Sequence, residues 1–343
     1  MYSFANDYSE GACKKVMDAL IESNTVQTPG YGVDMFCRAA ADIIRKKTAC
    51  ENIDVHFIVG GTPCNILAIS LLRSHEAVIC VNSGHINTHE TGAVEATGHK
   101  IIAVKGVNGK ITPEEIRKAV SLHTDEHMVK PKMVFISDAT ELGTIYTKDE
   151  LKQISDTCRE LGLYLYLDGA RLGNALVATA NDLSLKDICA LTDMFYIGGT
   201  KNGALFGEAM VIRNDALKAD FRYLEKQRGA MLAKGRLIGV QMLSLLEDDT
   251  YMNNARNANV MAQALRYIFN QAGIRMYVDS PTNQIFPVIS NSLLRKIQAK
   301  YIVTPWQKFD KKHTVVRFVC SWATTKTAIQ EFYNDLITYV NEK

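Results

Sequence analysis

No apolar run in this chain reaches the ~20 residues that a membrane helix needs. Its start, MYSFANDYSEGA, is polar and acidic, so no secretory leader is expected. A surplus of one charge is also missing. The 39 Lys plus Arg stand against 37 Asp plus Glu, the net charge is +2, and no basic block occurs, which excludes the electrostatic footprint of a nucleic-acid binder. None of the eight cysteines (Cys13, Cys37, Cys50, Cys64, Cys80, Cys158, Cys189 and Cys320) forms a C-x-x-C pair, which removes the zinc-ribbon and thioredoxin readings. They are scattered through apolar segments and are expected to be reduced core thiols. Neither G-x-G-x-x-G nor G-x-x-x-x-G-K-[ST] occurs, so dinucleotide and P-loop sites are excluded. There is no internal repeat and no low-complexity linker. What remains, at 343 residues with 47% hydrophobic and 22% charged, reads as an ordered, soluble, cytoplasmic protein with one large domain or two ordinary ones.

What is present is strand–helix alternation. Strands are expected at 54–61, 76–81, 100–106, 132–137, 163–168, 193–199 and 207–213, with helices at TPCNILAISLLRS and 148–162. Apolar runs lacking a period of two fit strands buried on both faces, hence a mostly parallel seven-stranded sheet between helices. From 214 to about 273 the pattern is helical. Short strands at 274–279, 283–289 and 313–319, with a last helix at TTKTAIQEFYNDLITYV, read as a smaller α+β unit. The expected division is an N-terminal segment over 1–35 packing on the second unit and a neighbouring subunit, a large domain over 36–245 and a small domain over 246–343.

In open α/β sheets ligands sit at the carboxyl ends of strands, so polar residues just after each strand are the candidates. Gly60-Gly61-Thr62-Pro63 combines a backbone that can approach an anion with Thr62 as N-cap and Pro63 at the first helical position; an ordinary capped turn explains it equally. Asp168-Gly169-Ala170-Arg171 puts a carboxylate at the mouth of the sheet, or else a helix cap with Arg171 as its ion pair. Lys201 lies in the glycine-rich turn Gly198–Gly203, where desolvation makes an amine nucleophilic, although a lone loop lysine is more often solvated. Phosphate turn, acid and lysine together suggest pyridoxal phosphate, which needs an anion site, a partner for its pyridinium nitrogen and a Schiff-base lysine. His85 and His89 are four apart, but Ile86 breaks the H-E-x-x-H pattern, so no metal is expected; an aromatic ring there suits stacking on a pyridine ring, while His89 reads equally as a structural histidine. Alternation of Val315, Arg317 and Val319 puts Arg317 on one strand face with apolar neighbours, in a buried, paired role for which a guanidinium fork suits a carboxylate.

The stretches FANDYSEG, GYGVD, GGTPCN, GHINTHETGAVEATGHKI, ATELGTIYT, LDGARLG, YIGGTKNGALFGEA, KQRGAMLAKGR and RFVCSWAT occur in this order. With them the chain resembles, over nearly its whole length, the threonine aldolases of the β-eliminating lyase group, within the fold-type-I pyridoxal-phosphate enzymes, and most of all the bacterial low-specificity L-threonine aldolases. The resemblance implies that Lys201 carries the Schiff base, Asp168 pairs with the pyridinium nitrogen, and Arg171 supports the ring hydroxyl or the substrate carboxylate. It implies that His85 stacks on the ring and does acid–base work, with Glu90 a weaker candidate base. Gly61, Thr62 and Thr200 would hold the phosphate. Arg317 and Asn6 would lie at the substrate carboxylate, Tyr31 would reach a neighbouring subunit's site, and Lys226 would stand near a phosphate.

The sequence departs from the family pattern at Thr140, which replaces a histidine found near the substrate hydroxyl in some relatives, and at His89, a position often aromatic. The loop at 304–312 matches no family feature; it shapes the pocket or is plain surface. The activity implied is retro-aldol cleavage of L-threonine or L-allo-threonine to glycine and an aldehyde, by a homodimer or homotetramer with shared active sites. The rivals are β-elimination or transamination with the same cofactor, and a non-catalytic binding protein on the same scaffold.

Overall fold

The computed structural model describes residues 1–341. Strands are numbered along the chain as β1 (Tyr2–Ser3), β2 (Asp54–Ile58), β3 (Glu76–Val81), β4 (Lys100–Val104), β5 (Lys130–Ser137), β6 (Tyr164–Asp168), β7 (Met194–Gly198), β8 (Glu208–Ile212), β9 (Gln284–Ile285), β10 (Val288–Ser290), β11 (Tyr301–Ile302), β12 (Thr304–Lys308) and β13 (His313–Val319). The central sheet has seven strands in the order β2-β8-β7-β6-β5-β3-β4. All pairs are parallel except those of β8, which runs antiparallel to β2 and β7.

Side chains alternate between two buried faces. Val134, Ile136, Leu165, Leu167, Phe195 and Ile197 enter one core, and Met133, Phe135, Tyr166, Met194 and Tyr196 enter the other. This is why the strands read as unbroken apolar runs: both faces are covered by helices. The 13-residue helix Lys148–Glu160 begins with a capping box, Thr147 with Glu150.

The second unit closes a third core around Phe4, Phe269, Phe318 and Phe332. Phe4 arrives because β1 pairs in parallel with β11, and the Val319 N–H donates to the Phe4 carbonyl. The helix Thr250–Gln271 joins the two units, with Tyr251 in the first core and Leu265 and Phe269 in the third.

Three expectations need correction. The run at 274–279 forms no strand; only Met276 makes an isolated bridge, to Pro287. The run at 283–289 splits into β9 and β10 around Phe286 and Pro287, because proline has no N–H to continue a ladder. The first site helix is Gly61–Ser70 with Gly60 as its N-cap, so Thr62 and Pro63 lie inside the first turn. Among the described residues no helix is long and apolar enough to cross a membrane. All eight cysteines are unpaired, and seven of them are buried.

Candidate active site

Strands β5, β6 and β7 end at one edge of the sheet. Register sets Ser137 beside Asp168, and the reversed β8 begins at that edge with Glu208 beside Gly198. A cavity of about 730 Å³ opens there. It is lined by Gly60–Thr62, His85, Glu90, Asp168, Arg171, Thr200 and Lys201 from the large unit, and by Thr304–Trp306 and Arg317 from the second. Of the stretch 304–312, expected as a loop, Thr304–Lys308 is instead the strand β12, and only Thr304–Trp306 shape the pocket: β12 pairs with β13 so that Thr304 faces Arg317.

No side chain caps the helix that starts at Gly61, so the first-turn N–H groups of Gly61 and Thr62 are left to other acceptors. A Cβ on Gly61 would lie 2.9 Å from the Tyr196 hydroxyl, so only glycine lets the turn sit this close. At the end of β6 the backbones crowd further: a Cβ on Gly169 would meet the Tyr196 carbonyl at 1.8 Å.

Lys201 sits in the short 3-10 turn Thr200–Asn202 after β7. Burial and the neighbouring Arg171 pull its ammonium below the usual lysine range, against Asp7, Asp168 and Glu208. The start of the turn is pinned twice. Gly199 N–H donates to Glu208 Oε2 at 2.7 Å, and Gly207 N–H donates to Thr200 Oγ1 at 2.9 Å. Burial raises the Glu208 carboxyl to about 7.

Asp168 accepts from Ala170 N–H at 3.0 Å, from Asn65 Nδ2 at 3.2 Å and from the Tyr196 hydroxyl. Arg171 is not its ion pair. The guanidinium instead grips Asp7 with two bonds, Nε to Oδ2 at 2.7 Å and Nη2 to Oδ1 at 3.0 Å, and Asn283 donates to the same carboxylate at 2.9 Å. Burial pushes the Asp7 carboxyl up, but Arg171 and Lys201 outweigh it and hold the group below the ordinary aspartate range. Arg171 is thus largely neutralised from within the chain.

Arg317 differs. It is half-buried rather than buried, lies over the Trp306 ring at 5.3 Å, and donates only to the Ala5 carbonyl at 3.3 Å. Its Nε is buried without a partner, and it has no carboxylate partner among the described residues, so the expected pairing is absent within the chain. Burial and Arg171 lower its basicity, which marks a cation short of a counter-charge.

His85 Nδ1 lies 2.7 Å from Glu90 Oε1, and its backbone N–H donates to Glu141 Oε1 at 2.9 Å. A carboxylate only accepts, so Nδ1 carries the hydrogen and Nε2 is left as the acceptor. Glu90, whose side chain is fully covered, orients the imidazole. His89 stands at the cavity rim between His85 and Trp306, with ring centroids 5.7 and 5.8 Å away, and burial and then His85 lower its basicity.

Four sequence candidates lie elsewhere. Asn6 does not line the cavity; its Oδ1 accepts from Tyr8 N–H at 3.0 Å and Ser9 Oγ at 2.9 Å in a local turn. Tyr31 is exposed outside this cavity, with Lys226 Nζ over its ring at 4.7 Å. Thr140 turns inward to Thr144 Oγ1 at 2.7 Å, while the next residue, Glu141, lines the cavity with Ser137 Oγ donating to it at 2.8 Å. Burial raises the Glu141 carboxyl.

Asp7, Asn65, Glu141, Tyr196, Glu208 and Trp306 were not singled out from the sequence as site residues. The first five stand inside recognisable motifs, but nothing in their spacing says which faces the cavity. Trp306 lies in the 304–312 stretch, which matched no motif.

Residues 4–292 match the β-eliminating lyase family. The low-specificity L-threonine aldolase of a Pseudomonas species is 36% identical over 97% of this chain and 96% of its own. The structure of Leishmania major threonine aldolase superposes with a TM-score of 0.98 at 45% identity, over 99% of this chain and all of that one. Aspartate aminotransferase from Thermus thermophilus shares the fold at 14% identity, with a TM-score of 0.72 over 99% of this chain and 91% of that one.

Proposed function

This chain belongs to the β-eliminating lyase family, and from that premise we propose that it is a pyridoxal-phosphate-dependent carbon–carbon lyase that cleaves L-threonine or L-allo-threonine to glycine and acetaldehyde. The observation that carries this reading is one cavity joining a basicity-lowered lysine, a triply hydrogen-bonded aspartate, an uncapped helix turn and an arginine without a counter-ion.

The residues fit the cofactor. Lys201 would hold its aldehyde carbon, Asp168 its ring nitrogen, and Gly61, Thr62 and Thr200 its phosphate, with His85 against the ring. When bound, the cofactor supplies a sink for the electron pair released as Cα–Cβ breaks. The other tasks fall to the protein. Asp168, already supplied with three donors, stays an acceptor for a ring N–H. Arg317 would offer its unspent N–H groups to the substrate carboxylate, and anchoring that group would fix which bond at Cα is presented for cleavage. Arg171, held by Asp7, contributes field and shape more than a free fork. His85 Nε2 accepts the β-hydroxyl proton, because Glu90 keeps the hydrogen on Nδ1.

From the family resemblance we infer a homodimer or homotetramer in which Tyr31 and Lys226, outside their own chain's cavity, serve a neighbour. We place the protein in the cytoplasm on its eight unpaired thiols.

The test is a product assay on protein loaded with pyridoxal phosphate, given L-threonine and L-allo-threonine separately. Glycine with acetaldehyde is expected. 2-Oxobutyrate with ammonia, from loss of water, would move the assignment to elimination. Light scattering tests the oligomer, and a monomer would remove the shared-site reading.

A further inference from the structure

Asn65 lies on the first turns of the helix Gly61–Ser70 and is fully buried. Its amide nitrogen donates to Glu90 Oε1 at 2.7 Å and to Asp168 Oδ2 at 3.2 Å. Its oxygen accepts from the Tyr166 hydroxyl at 2.8 Å. An amide NH₂ has two hydrogens, and here each meets a different buried carboxylate. The chain of contacts runs from His85 Nδ1 through Glu90 and Asn65 to Asp168 and the Tyr196 hydroxyl.

The two ends of this chain depend on Asn65 unequally. Asp168 keeps Ala170 N–H and Tyr196 if the amide is lost. Glu90 keeps only His85, since its Oε2 is buried with no partner at all. A carboxylate held by one imidazole moves with that imidazole, and the ring then loses its fixed orientation. We propose that Asn65 is a positioning residue that holds Glu90 in place and so keeps His85 in the Nδ1–H tautomer with Nε2 toward the cavity. The proposal deepens the reading above, on which its kinetic part rests. The titratable groups facing the pair are His89 and Glu141 beside His85, Cys64 and Tyr166 toward Glu90, and Asp168 across Asn65.

The test uses the holoprotein with ¹⁵N-labelled histidine and two variants, Asn65→Ala and the isosteric Asn65→Asp. The second offers at most one hydrogen to two acceptors and guards against a failure of the first to fold. Wild type should give a single Nδ1–H signal for His85, and either variant should add the Nε2–H form. kcat for threonine should fall about tenfold or more, the equivalent of one hydrogen bond to a charged group. KM and the affinity for pyridoxal phosphate should stay within about twofold, because Asp168 keeps Ala170 N–H and Tyr196 and the hydrogen bonds of Asn65 do not reach Arg317. A His85 signal unchanged in both variants would overturn the proposal, and so would a loss of cofactor affinity as large as the loss of kcat. If wild type cleaves neither threonine, the assigned reaction fails, yet the tautomer comparison still decides the role of Asn65.

Discussion

The carboxyl edge of the central sheet buries Asp7, Glu90, Asp168 and Glu208 around Lys201, whereas the C-terminal unit buries Phe4, Phe269, Phe318 and Phe332 around one another. In the second region ring centroids lie 5.0 to 5.9 Å apart, three of the five pairs edge to face, so each side chain both leaves water and finds a favourable partner. In the first region four carboxyl groups have left water, and hydrogen bonds only partly compensate. One region stabilises the fold. The other draws on that stability to hold charges where chemistry needs them, which is where local rules of good packing are expected to fail.

Lys201→Ala breaks the contrast most sharply. Cleavage should fall by at least ~10³-fold, as for loss of a covalent nucleophile, with loss of the visible absorbance of the loaded protein. Yet the thermal midpoint of the apoprotein should rise. The folded ammonium is depressed below its unfolded value, so over that window the unfolded state binds the extra proton and stability falls as pH falls. An unchanged band, or a lower apoprotein midpoint, would count against this account of Lys201.

Phe332→Ala is the converse. It should cost ~3–5 kcal/mol in equilibrium denaturation and leave kcat per folded molecule unchanged. A large drop in kcat for the folded fraction would erase the division between the regions.

Arg317→Lys tests the bridge between them, because Arg317 stands on β13 of the stabilising unit but faces the cavity. Replacing a fork by a point charge should raise KM about 10- to 100-fold with little change in kcat. Steady-state kinetics with unaltered KM would place Arg317 outside the site.

The smallest effect concerns Glu208. Its carboxyl is raised by burial to about 7 when folded, above its ordinary 4.5, so the folded state keeps a proton that the unfolded state has lost. That contribution is present below the lower value and fades as pH rises to the upper one, with a slope of at most about 1.4 kcal/mol per pH unit. Glu208→Gln should remove that slope from the apoprotein's stability between those two values. Parallel curves for wild type and variant would show that Glu208 does not titrate there.

Most central strands were legible because each is an apolar run closed by a glycine or an acid, and those closing residues were the site candidates. The failures share a cause. The run at 274–279 is apolar enough for a strand, but pairing needs a neighbour, and only Met276 finds one. Arg171 looked like the partner of Asp168 because they are three residues apart, whereas its partner, Asp7, is 164 residues away in sequence. Thr140 and Glu141 are adjacent, and nothing in the sequence says which one turns into the cavity.

By itself the amino-acid sequence determined the alternating units, the glycine turns at the strand ends and the order of anion turn, acid and lysine, because these follow from local sterics and hydrophobic pattern along the chain. Tertiary structure alone decided that Asp7 neutralises Arg171 while Arg317 stays uncompensated, and that Asn65 spans two carboxylates. It also decided that β12 forms part of the cavity lining. Those are matters of which groups share a small volume after folding, and partners far apart in the chain leave no periodic trace.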